Sequence, residues 1–225
     1  MTRFIFPLAL GVVGAAVLIG LGLWQLQRLT WKEGVLAEIE AQLTAPPVGL
    51  PAAPDPAADR YLPVRATGTT GGDELHVLVS TKEQGAGFRI ITAFETVEGR
   101  TILLDRGYVP DAQKRVDRAP VTMTVTGNLH WPEERDLFTP EDDPAGNFWF
   151  ARDVEKMAAT LGTEPVLLIA ADANPVDAAV MPLPLGTEGI PNNHLGYAVQ
   201  WFGLAVVWLG MTLFWIQRLG RRRTA

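Results

Sequence analysis

Two long uncharged stretches bracket this chain, and almost all of its polar residues lie between them. The stretches cover residues 4–27 and residues 195–217. A helix needs roughly 20 consecutive apolar residues to cross the ~30 Å hydrocarbon layer of a bilayer, and both stretches are long enough. The pattern therefore predicts two transmembrane helices that hold one extramembrane domain, at residues 28–194, between them.

The first stretch has the features of an uncleaved anchor. A secretory signal peptide has a short apolar core and then a small-residue cleavage site, whereas here the apolar run continues beyond Ala15 and Ala16 to Trp24. A mitochondrial transit peptide is amphipathic and rich in Arg and Ser. This chain enters its apolar run within three residues, which favours a bacterial protein.

The central segment changes character twice along its length. Apolar residues at Leu36, Ile39 and Leu43 recur at helical spacing, so residues 28–43 are predicted to continue the first helix. Residues 45–60 are rich in proline and are predicted to form an extended linker.

Beyond residue 61 the pattern becomes that of a β-rich domain. Alternation or dense apolar character predicts strands at residues 74–80, 88–97, 101–109, 121–129 and 165–171. Gly99 indicates a hairpin turn, and a short helix is predicted over residues 151–161 with Gly162 as its stop. We therefore expect an α+β, β-rich domain folded as a curled sheet or partial barrel. The pattern leaves the strand order open.

Basic residues orient the hairpin. Arg218 and Arg221 to Arg223 follow the second stretch, and short flanks rich in Lys and Arg stay in the cytoplasm. Residues 218–225 are thus predicted to be a cytoplasmic tail, both termini lie on that side of the inner membrane, and the central domain lies in the periplasm. All 25 acidic residues and 14 of the 19 basic residues lie between the stretches, and this acidic balance argues against nucleic acid as a partner.

The polar residues of the domain give little indication of catalysis or metal binding. The chain has no cysteine, which excludes thiol catalysis and iron–sulfur ligation by cysteine. His76 and His130 match no zinc-binding spacing. We interpret the acidic run near residues 133–143 as a solvated loop because prolines interrupt it. Glycines recur in both stretches and would let the two helices pack closely or offer a groove to another subunit, and we expect close packing of the two helices. They are Gly11, Gly14 and Gly22 in the first, and Gly196, Gly203 and Gly210 in the second.

Four segments in order along the chain resemble motifs of the Surf1/Shy1 family. They are residues 21–32 (LGLWQLQRLTWK), 105–110 (DRGYVP), 148–153 (FWFARD) and 192–202 (NNHLGYAVQWF). The chain departs from the family pattern at Asp105, Tyr108 and Gln200, where Asn, Trp and Thr are common. None of these positions is the histidine of the last motif.

The resemblance implies an assembly factor for haem-copper terminal oxidases of the aa3 cytochrome c oxidase type. Family members are thought to bind haem a and to aid its insertion into the oxidase catalytic subunit. The implied partners are that subunit, haem a synthase or other assembly factors, and membrane lipid. The resemblance also implies that His194 is an axial ligand of the haem iron.

The residue chemistry beside the predicted bilayer surface is compatible with that role. An imidazole ligates haem iron through one nitrogen while an acceptor orients the other; Asn192 and Asn193 are candidates for that acceptor. Arg28 suits a haem propionate. Trp24, Tyr197 and Trp201 are the aromatic candidates for contact with the macrocycle. The alternative is that His194 caps its helix and that the arginine and aromatics are ordinary interfacial anchors.

Other functions remain open on the sequence. A structural chaperone that binds the oxidase subunit without touching haem shares every feature above. A membrane-anchored periplasmic enzyme is less favoured, because neither a nucleophile elbow nor a phosphate-binding glycine loop is present in the sequence. A receptor is disfavoured because only eight residues follow Gln217.

Overall fold

The computed structural model describes residues 2–187 and 190–221, with side chains from Phe4 onward. The chain divides into two compact units, Met1–Glu38 with Thr187–Ala225, and Ile39–Gly186. The helices are α1 (Thr2–Leu43), α2 (Val154–Leu161) and α3 (His194–Arg221). Of the predicted basic tail, residues 222–225 lie outside the described residues.

Helices α1 and α3 make up the first unit, and both are long and apolar enough to cross a membrane. They pack antiparallel. A Cβ atom added at Gly11 would lie 2.2 Å from the Thr212 side chain, and one at Gly22 would lie 2.6 Å from the Phe202 ring. The indole nitrogen of Trp208 donates to the Gly11 carbonyl at 3.1 Å. The larger side chains of α3 therefore pack against the glycines of α1.

The prediction that the glycines of α3 pack against α1 was wrong. Gly196, Gly203 and Gly210 have open space where a Cβ would be, so they do not mediate packing against α1. The physical reason is complementary size, because the hollows at the α1 glycines are filled by bulky α3 side chains. The glycines of α3 fall on another face of that helix.

The second unit is a closed five-stranded barrel with the strand order β1-β2-β3-β5-β4. Its strands are β1 (Pro63–Thr81), β2 (Gly85–Thr96), β3 (Thr101–Pro110), β4 (Thr122–Leu129) and β5 (Leu167–Asn174). The β3–β5 pair is parallel and the other pairs are antiparallel. The predicted fold class, two membrane helices with a β-rich domain, is confirmed, and the sheet closes completely.

Alternation along the strands sorts the apolar residues into separate layers. Leu104 and Leu168 belong to a cluster with Phe94, while their neighbours Leu103 and Leu167 belong to another with Met157 of α2. Successive side chains of a strand point to opposite faces of the sheet. Helix α2 therefore covers one face of the barrel wall, and the Phe94 cluster fills the other.

Several predicted segments differ in detail. Strand β1 covers Pro63–Thr81 and not only residues 74–80. Helix α2 begins at Val154, not at residue 151, because the Asp153 side chain accepts from the Lys156 amide at 3.2 Å and caps the helix. The proline-rich segment is extended but attached to the barrel. Val48 pairs with Val64, and the Pro51 carbonyl accepts from Arg100 at 2.5 Å.

A β-bulge lies on β3 at the motif that begins with Asp105. Ile90 pairs with Gly107 and Ile91 with Asp105, which leaves Arg106 as the extra residue. Both charged side chains at the bulge are buried, since Asp105 is 0% and Arg106 4% exposed. Gly107 has φ of 126°, and an added Cβ would lie 2.1 Å from the Met181 carbonyl oxygen. Only glycine fits here.

We expect Gly107→Ala to destabilise the barrel by at least about 3 kcal/mol, because it combines an unfavourable φ with a backbone clash. Gly99→Ala is the matched control. Gly99 also has positive φ, at 81°, but has open space around it, and its cost should be about 1 kcal/mol. Thermal unfolding of the detergent-solubilised chain, followed by near-ultraviolet circular dichroism, measures both. Equal melting temperatures for the two variants would contradict the bulge argument.

Candidate functional site

His194 is the first residue of α3, and its imidazole is held from α1. Its Nδ1 lies 2.7 Å from the side-chain oxygen of Gln25. An amide oxygen only accepts, so Nδ1 is the donor of this bond, and in the neutral imidazole Nε2 then has the lone pair. No residue within the described parts of the chain hydrogen-bonds Nε2. The ring is half-buried. It is therefore oriented by its bond to Gln25, and Nε2 is still accessible to a ligand.

Gln25 was not identified as a site residue from the sequence. Gln25 lies on the face of α1 that meets α3. Gln25 is 9% exposed, whereas Trp24 and Arg28 are exposed. A seven-residue spacing was the available signal, because Gly11, Leu18, Gln25 and Lys32 follow one stripe of covered positions.

The residues before α3 are fixed by other contacts. Lys32 Nζ donates to the Pro191 carbonyl, and the Tyr197 amide donates to the Asn193 carbonyl at 3.2 Å. The predicted orienting bonds from Asn192 and Asn193 to His194 are therefore replaced by the bond from Gln25. The Asn192 side-chain oxygen is buried and has no hydrogen-bond partner among the described residues.

The other predicted binding residues surround this end of the helices without bonding to His194 in the described structure. The Arg28 guanidinium lies 4.3 Å from the centre of the Trp31 ring. Trp24 is 52% and Tyr197 50% exposed, and Trp201 is half-buried. Tyr197 lines a shallow open groove along α3 with Asn193, Gly196 and Gln200.

A second cluster lies in the barrel, where two other motifs meet. Asp105 of β3 accepts from Arg89 at 2.6 Å and from Arg152 at 3.4 Å. Arg152 in turn donates to Glu134, through Nε at 3.0 Å and through its backbone amide at 2.9 Å. Arg106 pairs with Asp177 at 2.6 Å. The Asp105–Arg152 pair connects the bulge on β3 to the segment that precedes α2, and the Arg106–Asp177 pair connects it to the segment after β5.

The interpretation of the acidic run as a solvated loop was wrong for two of its members. Glu134 binds Arg152, and hydrogen bonds from that arginine outweigh burial and lower the pKa of Glu134. Asp142 accepts from Arg135 at 2.5 Å and from Lys156 at 2.6 Å. Prolines shape this loop, but ion pairs attach it to the barrel.

The two barrel histidines occupy different surroundings. His76 bonds through Nε2 to Glu74 at 2.8 Å, and Glu74 also accepts from Arg118. His130 stacks on Tyr61 with ring centres 5.3 Å apart, and its Nδ1 is buried with no partner among the described residues. Burial and the nearby charge of Arg152 lower the pKa of His130 to about 4. No group of three His, Asp or Glu side chains in the described residues is placed to hold a metal ion.

Comparison with known proteins decides the relationship. The family model described as the SURF1 family matches residues 12–206. The chain belongs to the SURF1 family. The human protein named Surfeit locus protein 1 is 34% identical over 213 residues, covering 81% of this chain and 68% of that protein. The rat protein of the same name is 31% identical over 218 residues, covering 83% and 68%. A SURF1-like protein of Monosiga brevicollis is 33% identical over 209 residues, covering 83% and 78%.

The resemblance to this family is thus confirmed, and the structure shows how its four motifs pair. Residues 21–32 contribute Gln25 and residues 192–202 contribute His194, which are bonded to each other. Residues 105–110 contribute Asp105 and residues 148–153 contribute Arg152, which are also bonded to each other. The four motifs therefore form two hydrogen-bonded pairs, one in the helical unit and one in the barrel.

His130 makes the stability of the barrel depend on pH. The pKa of His130 is lower in the folded protein than its ordinary value of 6.5. Between the two pKa values, His130 therefore binds a proton in the unfolded chain but stays neutral in the folded chain. Stability should therefore fall as pH decreases from about 6.5 to about 4. We expect His130→Phe, which keeps a ring against Tyr61, to remove most of the loss between pH 7 and pH 5. Urea unfolding at the two pH values measures it, and an unchanged loss in the variant would contradict the assignment.

Proposed function

We propose that this SURF1-family protein is an assembly factor for a haem-copper terminal oxidase, and that it binds haem a through Nε2 of His194. It acts by binding, not by catalysis, and it passes the haem to the oxidase catalytic subunit. The observation that supports this proposal is the geometry of His194, whose Nδ1 is bonded to Gln25 while Nε2 has no partner in the described residues.

The residues fit a haem on three counts. An iron-ligating imidazole needs one nitrogen oriented by an acceptor and the other with a free lone pair, and His194 has this arrangement. The ring is half-buried between apolar helices, which suits a cofactor with an apolar macrocycle. Arg28, exposed on α1, offers a cation for a propionate. Bound haem a would supply the redox-active iron that the oxidase needs.

The aromatic residues have a lesser part in this proposal. Trp24, Tyr197 and Trp201 would contact the macrocycle or the surrounding lipid, and each presents an exposed or half-exposed ring. The cation–π contact between Arg28 and Trp31 also suits membrane anchoring. Neither role affects the ligand assignment, which depends only on His194 and its partner.

We place the barrel in the periplasm of a bacterial inner membrane, with both termini in the cytoplasm. Arg218 and Arg221 lie in the last turn of α3, where basic residues favour the cytoplasmic side. On this topology His194 begins α3 at the periplasmic side of the bilayer. The barrel is then free to dock the catalytic subunit or haem a synthase. A chaperone that does not bind haem is the second candidate, and the barrel alone would be sufficient for it.

We expect His194→Ala to lose haem a while inserting into the membrane normally, since the methyl group cannot ligate iron. The protein is co-expressed with a haem a synthesis system, purified in detergent and examined by absorption spectroscopy. His130→Phe is the matched control, because it removes an imidazole from the barrel unit and should retain haem. Equal haem content in wild type and His194→Ala would refute the ligand assignment and favour the second candidate.

A further inference from the structure

The hydrogen bond between α1 and α3 gives Gln25 a role of its own. A glutamine at a covered position of an apolar helix is costly unless its amide is satisfied, and here its oxygen meets His194 Nδ1 at 2.7 Å. The neighbouring Gln27 is exposed on the same helix. Two glutamines two residues apart therefore have different environments, and only Gln25 is bonded to an imidazole.

We infer that Gln25 is the positioning residue of His194, fixing the Nδ1-protonated tautomer and the ring orientation that leave Nε2 ready to ligate iron. This inference rests on the proposed function for its consequence, though not for its geometry. Outer-sphere partners of a metal-bound imidazole raise its basicity, and their removal typically weakens metal binding by about 10–100-fold.

The geometry also explains why this partner comes from the opposite helix. A residue of α3 itself would only orient the ring relative to its own helix. A bond from α1 also fixes α3 against α1 at that level, together with the Lys32 contact to the Pro191 carbonyl. The orientation of the His194 ring and the register of α3 against α1 thus both depend on the side-chain amide of Gln25.

Nitrogen NMR of His194 in the haem-free, detergent-solubilised chain tests the inference directly. We expect a protonated Nδ1 and an unprotonated Nε2 in the wild type and in Gln27→Leu. Gln25→Leu should lose this preference, and Gln25→Glu, whose carboxylate also accepts, should restore it. An Nε2-protonated wild type, or a tautomer unchanged in Gln25→Leu, would overturn the inference.

The haem-loaded protein gives the second readout. Gln25→Leu should weaken haem a binding about 10-fold or more and lower the iron–imidazole stretching frequency in resonance Raman spectra, whereas Gln27→Leu should change neither. A wild type that binds no haem a would overturn the proposed function, while the NMR result would still decide the role of Gln25 separately.

An independent feature lies in the barrel unit, where the loop after β4 carries two fully exposed apolar side chains. Leu137 is 98% and Phe138 91% exposed. The turn beneath them is ordered, since the Asp136 carboxylate accepts from the Phe138 amide at 2.9 Å and from the Thr139 hydroxyl at 2.9 Å. Arg135 holds the loop to Asp142 at 2.5 Å. Because this turn is already ordered, it loses little conformational entropy on binding.

Charge around the pair favours one class of partner. Residues 133–143 contain six acidic side chains and one basic side chain. Glu133, Glu134 and Asp142 are ion-paired, whereas Asp136, Glu141 and Asp143 have no basic partner among the described residues. An anionic bilayer surface would repel this segment. We propose that Leu137 and Phe138 insert into an apolar pocket on a protein partner, and that Lys or Arg side chains at the pocket rim face Glu141 and its acidic neighbours.

Photocross-linking of the full-length chain in cells tests this docking surface. Benzoylphenylalanine is placed at position 138, and at position 97 as the control, because Val97 is also an exposed apolar residue on a turn. We expect a protein adduct from position 138 only, mapped to a segment with Lys or Arg. Glu141→Lys should lower its yield about threefold or more, and Glu98→Lys should not.

The alternatives give different results in the same experiment. Adducts to lipid, together with flotation of the wild type but not of Leu137→Ser/Phe138→Ser on phosphatidylglycerol vesicles beyond what the helices cause, would overturn the proposal in favour of a membrane contact. A protein adduct insensitive to Glu141→Lys, or equal adducts from positions 97 and 138, would also overturn it.

Discussion

A polar group between two apolar helices must find a partner, and this constraint organises the helical unit. Water does not satisfy a buried amide or imidazole in such a setting, so an isolated one would cost several kcal/mol. Gln25 and His194 satisfy each other. The bond specifies one level of contact between α1 and α3, and the glycine hollows at Gly11 and Gly22 then fit the side chains opposite them. Packing and chemistry select the same register.

The same logic governs the barrel, with ions in place of neutral groups. The bulge places Arg106 as an extra residue beside Asp105, and both charged side chains are buried in the covered wall of the barrel. Gly107 makes the bulge possible by accepting a positive φ beside the Met181 carbonyl. Asp105 then reaches Arg152, so the segment before α2 is attached to β3. A local backbone feature thus produces a long-range connection.

The sequence predicted the membrane helices and most strands because those elements are set by periodicity, which is local. It left open the closure of the sheet, since the parallel β3–β5 pairing depends on a crossover through α2 that no local pattern encodes. His194 was identified through a motif, but Gln25 was missed because a partner on another helix is recognised only when the facing stripe is known. The acidic run was misinterpreted for Glu134 and Asp142 because proline content reports backbone irregularity and not ion pairing.

Charge balance explains how an aspartate is accommodated at position 105 in the barrel. The cluster contains two guanidinium groups, of Arg89 and Arg152, and two carboxylates, the fully buried Asp105 and the more exposed Glu134. An aspartate makes the cluster neutral as a whole, whereas an asparagine would leave one positive charge in excess. A buried ion pair contributes little unless every charge is matched and hydrogen-bonded. Because Asp105 also accepts from the Gly107 amide at 3.1 Å, both of its carboxylate oxygens are hydrogen-bonded.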